Sequence, residues 1–110
     1  MNIVKTALHT SISPCETSIQ EFHSELVKKQ GDFKNQHLII DLYKKNNVTI
    51  EELLLFLGIS SQIKDNGMSF VIVSKEIFMD KLPEELIVVP TFIEAEDILQ
   101  MEAIERELGF

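Results

Sequence analysis

The chain has 110 residues, 45% of them apolar and 25% charged, the balance of one folded domain able to bury a core without disulfides or metal. Eighteen acidic residues against ten basic ones set the net charge at −8, which repels phosphate backbones and argues against nucleic acid or an anionic membrane as partner. No apolar run is long enough to span a bilayer, Met1 to Pro14 lacks the apolar centre of a signal peptide, and a lone Cys15 makes no internal disulfide, so a reducing cytoplasm is the expected compartment.

Met1 to Ser13 is rich in Val, Thr and Ile and predicts one or two strands, ended by Pro14. Ser18 followed by Glu21 has capping-box spacing and opens a helix through about Lys29, with Ile19, Phe22, Leu26 and Val27 at helical intervals and Gly31 as its stop. The stretch His37 to Gly58 organises the rest. A short apolar strand, Leu38-Ile39-Ile40, closes on Asp41-Leu42, and a polar turn runs from Tyr43 to Asn47. Thr49 and Glu52 then form another capping box, ahead of a helix that Leu53 to Leu57 make apolar nearly all round. Ile59 to Asn66 continues as a broken or second helical turn, ended at Asn66-Gly67.

Met68 to Ser74 is the clearest strand, apolar on both faces through Phe70-Val71-Ile72-Val73, as suits an interior parallel strand. Glu76 to Glu85 admits a short helix through Ile77, Phe78 and Leu82, ended by Pro83. Leu86 to Val89 reads as a further short buried strand closed by Pro90. Thr91 with Glu94 caps a last helix to about Leu108, with Ile98, Met101, Ile104 and Leu108 expected on its inner face and Gly109 after it. Strands alternating with helices predict an α/β fold: a small, mostly parallel sheet of four or five strands with about four helices packed on it, in one domain over 1–110.

The familiar catalytic and phosphate-binding patterns are missing. Neither G-x-G-x-x-G, the P-loop, nor G-x-S-x-G occurs, and the glycines stand at element ends. His9, His23 and His37 are scattered without metal-ligand spacing, and His23-Ser24-Glu25 lacks the paired cysteines of a zinc deaminase. Cys15, just before a helix start, has no base at a recognisable spacing, and a half-buried loop residue is the simpler assignment. Asp41 stands where α/β folds place ligand or catalytic groups, and equally where a carboxylate anchors the loop that follows it. Thr49 is first of all an N-cap, and secondarily a possible phosphoacceptor, since the helix dipole favours a phosphate there. The last helix sets six acids, Glu94, Glu96, Asp97, Glu102, Glu105 and Glu107, against Arg106 alone, which a solvated face explains, with a docking face for a basic partner as the second reading.

The central strand, loop and helix, preceded by a strand region and one helix, resembles the STAS domain family of sulfate transporters and anti-sigma factor antagonists. In that family a strand ends in Asp-Leu-Ser and, after a short loop, Asp-Ser-Ser-Gly-Leu opens the next helix. Here Asp41-Leu42 stands at the strand end with Tyr43 in place of serine, and Val48 takes the apolar place before the motif. Thr49, Ile50, Glu51, Glu52 and Leu53 fall where Asp, Ser, Ser, Gly and Leu would be. The resemblance implies a STAS-like domain that acts by protein–protein contact, without catalysis and without cofactor. Its partner would be an anti-sigma factor or other regulatory protein, met through Asp41, Tyr43, Asn46, Asn47, Thr49 and Glu51. Family antagonists are switched by phosphorylation of a serine at the helix start; Ile50 and Glu51 hold those places here and take no phosphate, so the usual switch is absent. The ending VVPTFIEAEDILQMEAIERELGF is similar to that of short bacterial proteins given a ribonuclease Z name. The activity itself would require a His-x-His-x-Asp-His cluster that the chain lacks. An accessory role beside such a nuclease, or a small-ligand or nucleotide pocket at the same strand ends, is the competing expectation.

Overall fold

In the computed structural model, which describes residues 1–15, 18–76 and 81–109, four parallel strands succeed one another across the sheet in chain order, with an antiparallel strand added at one edge. The added strand β1 (Asn2–Lys5) forms a hairpin with β2 (Thr10–Ser13), Ile3 facing Ile12 and Lys5 facing Thr10. Thr6 closes the turn, its Oγ1 accepting from the N–H groups of Leu8 at 3.2 Å and His9 at 3.1 Å. Helix α1 (Ile19–Lys28) leads to β3 (Leu38–Asp41), which pairs with β2 and with β4 (Phe70–Val73). Strand β5 (Ile87–Val89) ends the sheet beside β4.

Between β3 and β4 the chain makes α2 (Ile50–Leu54), a single turn of five residues, and α3 (Leu57–Asp65). The uninterrupted helix expected from Leu53 to Leu57 is therefore broken at Leu55–Phe56. There Leu55 and Phe56 donate to carbonyls three residues back, Glu52 and Leu53, a tightened turn in place of α-helical bonding. Helix α4 (Phe92–Glu107) ends the described fold. Against about four helices expected, among the described residues three have nine or more residues, and α2 is one turn. Ile77 and Phe78, the centre of the short helix expected between Glu76 and Glu85, lie outside the described residues.

Strand alternation sends side chains to two separate cores. Ile12, Leu38, Ile40, Phe70 and Ile72 meet α1, α2 and α3 through Phe22, Leu26, Leu53, Phe56, Ile59 and Ile63. Ile39, Val71 and Val73 point the other way and meet Ala95 and Leu99 of α4. Crossovers between neighbouring parallel strands carry their helices to one face, whereas α4 follows the last strand and is free to cover the other.

Two expectations are corrected on the α4 side. Ala95 and Leu99 are buried and Ile98 is partly so, but Met101, Ile104 and Leu108, expected inward, are 56%, 57% and 65% exposed. Both stripes have helical spacing, and the shorter one fits over the pleat of β4 and β5. Strand β5 is half-buried and, among the described residues, an edge strand with β4 as its neighbour.

Candidate functional site

Parallel strands align their C-terminal ends along one edge, so the segments that leave them lie side by side. Asp41 of β3 is in register with Val73 of β4, which makes Leu42 to Thr49 the neighbour of Ser74 to Glu76. The loop is anchored from below. Leu42, wholly buried, donates its N–H to the Val73 carbonyl at 2.8 Å, and Val48 buries its side chain at the far end. Asp41 Oδ1 accepts from the Tyr43 N–H at 3.1 Å, the backbone-anchoring role of a strand-end carboxylate.

The β4 side supplies further anchors. Asn47 has a positive φ of 58°, a conformation asparagine tolerates better than most residues, and its N–H donates to Glu76 Oε1 at 2.9 Å. Lys75 donates to Asn46 Oδ1 at 2.7 Å, and its ammonium sits 5.4 Å from the Tyr43 ring centroid, within cation–π range. Thr49 then starts α2 with a complete capping box: its Oγ1 accepts from the Glu52 N–H at 3.2 Å, while Glu52 Oε1 accepts from the Thr49 N–H at 2.9 Å. Glu52 Oε1 also lies 3.3 Å from Thr49 Oγ1, so a phosphate on that hydroxyl would meet a carboxylate and break the box.

Asp41, Tyr43, Asn46, Asn47, Thr49 and Glu51 thus share one loop and helix start, and Tyr43, Asn46, Asn47, Thr49 and Glu51 are exposed. Lys75 and Glu76 were not foreseen in this role. The signal for them was positional: they follow the strand that the apolar pattern already placed beside Leu38–Asp41. Beneath the loop, Ser74 Oγ and Glu76 Oε2 are buried without hydrogen-bond partners among the described residues.

Beside Asp41 the same edge holds a cavity of about 330 Å³, bordered by Ser13, Cys15, Asp41, Lys44 and Lys45. Cys15 is exposed there, not half-buried. A second cavity of about 240 Å³ lies at the opposite sheet edge, between the β1–β2 turn and α4, with Leu8, His9, His37 and Glu96 on its walls.

The histidines are set by their local contacts. His9, nearly buried, places Nε2 3.4 Å from Glu96 Oε2 and its ring edge-on to Phe92. His37 Nδ1 accepts from the Ser69 N–H at 3.0 Å, an acceptor that protonation would remove. Burial lowers the His37 pKa below the ordinary imidazole value, helped by Arg106 and by His9 and opposed by Glu102. His23 packs edge-on against Phe56 with ring centroids 5.4 Å apart; burial lowers its pKa too, against a backbone hydrogen bond at Leu55. Among the described residues no group of three or more His, Cys, Asp or Glu is arranged to hold a metal ion, and no helix is long and apolar enough to cross a membrane.

No protein-family model matches the chain, and neither does any curated protein sequence.

Proposed function

We propose that the protein is a non-catalytic regulatory module of the bacterial cytoplasm, similar in design to an anti-sigma factor antagonist of the STAS family, that binds a protein through Asp41 to Leu53. The observation that carries this reading is an exposed loop held in one shape. Asp41, Lys75, Glu76 and the Thr49–Glu52 box fix it, and Tyr43 stands half exposed above Lys75. A loop already ordered loses little conformational entropy on docking, and a half-exposed tyrosine is a frequent anchor of interfaces. Glu51 supplies a permanent negative charge at the helix start, where the resembled family places a phosphate that comes and goes. Thr49 is engaged as a cap, so the contact works unswitched.

The test is affinity purification from the native cell with wild type and a Tyr43→Ala/Glu51→Lys variant side by side. A stoichiometric protein retained by wild type and lost by the variant is expected, whether a kinase-type regulator or a nuclease. Equal retention by both would overturn the reading, and phosphate found on Thr49 by mass spectrometry would overturn its unswitched part.

The cavity beside Asp41 favours a second reading, a small anionic ligand or nucleotide held by Lys44 and Lys45 at the strand ends. A nucleotide at 100 times its dissociation constant adds about 2.7 kcal/mol of stability, a shift that thermal unfolding detects directly. No shift across the common nucleotides would leave protein binding as the reading for this edge.

A further inference from the structure

Helix α4 has two apolar sides, and the sheet uses only one. Ala95 and Leu99 are buried against Ile39, Val71 and Val73, with Phe92 and Ile98 beside them. On the opposite side Ile93, Met101, Ile104 and Leu108 are 71%, 56%, 57% and 65% exposed. At 3.6 residues per turn these four fall within about a quarter of the helix circumference, forming a ridge roughly 22 Å long. Scattered apolar residues on a surface need no explanation, but an aligned row of four on one helix does.

Acidic side chains border the ridge. Glu107 lies along one flank, Glu94 and Glu105 along the other, and Asp97 interrupts it; all four are exposed. The cation of this helix does not neutralise them, because Arg106 Nη1 is directed to Ser69 Oγ at 3.3 Å, on the sheet side. Glu96 is likewise turned toward His9. An apolar row with exposed carboxylates on both flanks is complementary to an amphipathic helix with an apolar stripe flanked by lysine or arginine. A second copy of this chain fits poorly, since pairing two ridges would bring carboxylates against carboxylates.

We infer that the outer face of α4 is a docking site for a basic amphipathic helix of a protein partner, separate from the Asp41–Leu53 loop. The apolar ridge supplies the contact area, and the acidic flanks supply orientation and speed of encounter.

The probe is a synthetic helical peptide of about 18 residues built from leucine and lysine with one apolar stripe, against a scrambled peptide of the same composition; its five turns, about 27 Å, are long enough to cover the whole ridge. Titration into the full chain, followed by amide chemical shifts, should show saturable one-to-one binding with shifts concentrated on Phe92–Glu107. A Met101→Ser/Ile104→Ser variant should bind at least tenfold more weakly at an unchanged thermal midpoint. A Glu105→Gln/Glu107→Gln variant should bind more weakly with a smaller salt dependence. The inference is overturned if the scrambled peptide binds equally well, if the shifts map elsewhere, or if the Met101→Ser/Ile104→Ser variant binds like wild type. A thermal midpoint lowered by that variant, or a dimer that it abolishes in sedimentation, would show the ridge already covered and would overturn the inference too.

Discussion

The two faces of the sheet are built to different depths. On one, α1, α2 and α3 pack a layer around Phe22, Phe56 and Phe70, all wholly buried. On the other, among the described residues, one helix rests on β4 and β5 through Ala95 and Leu99 and turns an equally apolar side to solvent. The contrast teaches that apolar spacing marks which sides of a helix are able to bury, while the number of elements available on a face decides which sides do. Where three elements share a face, little apolar surface is left over. Where, among the described residues, α4 covers its face by itself, the surplus stays outside.

Four substitutions and a titration put that comparison at risk. Phe56→Ala removes a ring that touches both Phe22 and His23 in the deep face, and should cost about 3–5 kcal/mol in urea unfolding. A cost under about 1 kcal/mol would mean that the three-helix layer is not the main core. Leu99→Ala, in the shallow face and still 7% exposed, should cost about 2 kcal/mol. Equality with Phe56→Ala would erase the difference between the faces. Thr49→Ala breaks the capping box at the start of α2 and should cost about 1 kcal/mol, measured the same way.

Acidification reaches both faces at once, through His23 on one and His37 on the other. Each has its folded pKa below the ordinary value near about 6.5, so the unfolded chain takes up protons first as the pH falls. Stability is therefore complete above that value and declines as the pH drops toward the lowered folded pKa values. Imidazole titrations by NMR should place both midpoints below about 6.5, and a midpoint above it for either would reverse the sign. The smallest effect belongs to Ile104→Ser, expected within about 0.5 kcal/mol of wild type because the side chain is already in solvent. A loss of about 2 kcal/mol would return Ile104 to a buried role.

Much of the deep face was legible in the sequence, and the reasons are local. Leu38-Ile39-Ile40 and Phe70 to Val73 are short runs bounded by polar residues, and both became interior parallel strands. Ser18, Thr49 and Thr91 each accept from the N–H three residues on, so all three helix starts fell where the caps predicted. The break at Leu55–Phe56 was hidden because the apolar run Leu53 to Leu57 carries no stop signal; the tightened turn there accompanies burial of Leu53, Phe56 and Ile59 in the same core. The inner side of α4 was misread because Ile98, Met101, Ile104 and Leu108 share a helical period with nothing in the chain to rank them below Ala95 and Leu99. At the candidate site Asp41 and Thr49 were legible from strand-end and cap positions. Lys75 and Glu76 were not, since their roles depend on which strand lies next to β3.

For the partner binding proposed at Asp41 to Leu53, amide hydrogen exchange on the free and partner-bound protein is the most direct test. Slowed exchange concentrated between Tyr43 and Leu53, with Ser74 to Glu76 following, is the result the account predicts. Unchanged exchange along that loop, with protection elsewhere in the bound protein, would contradict it.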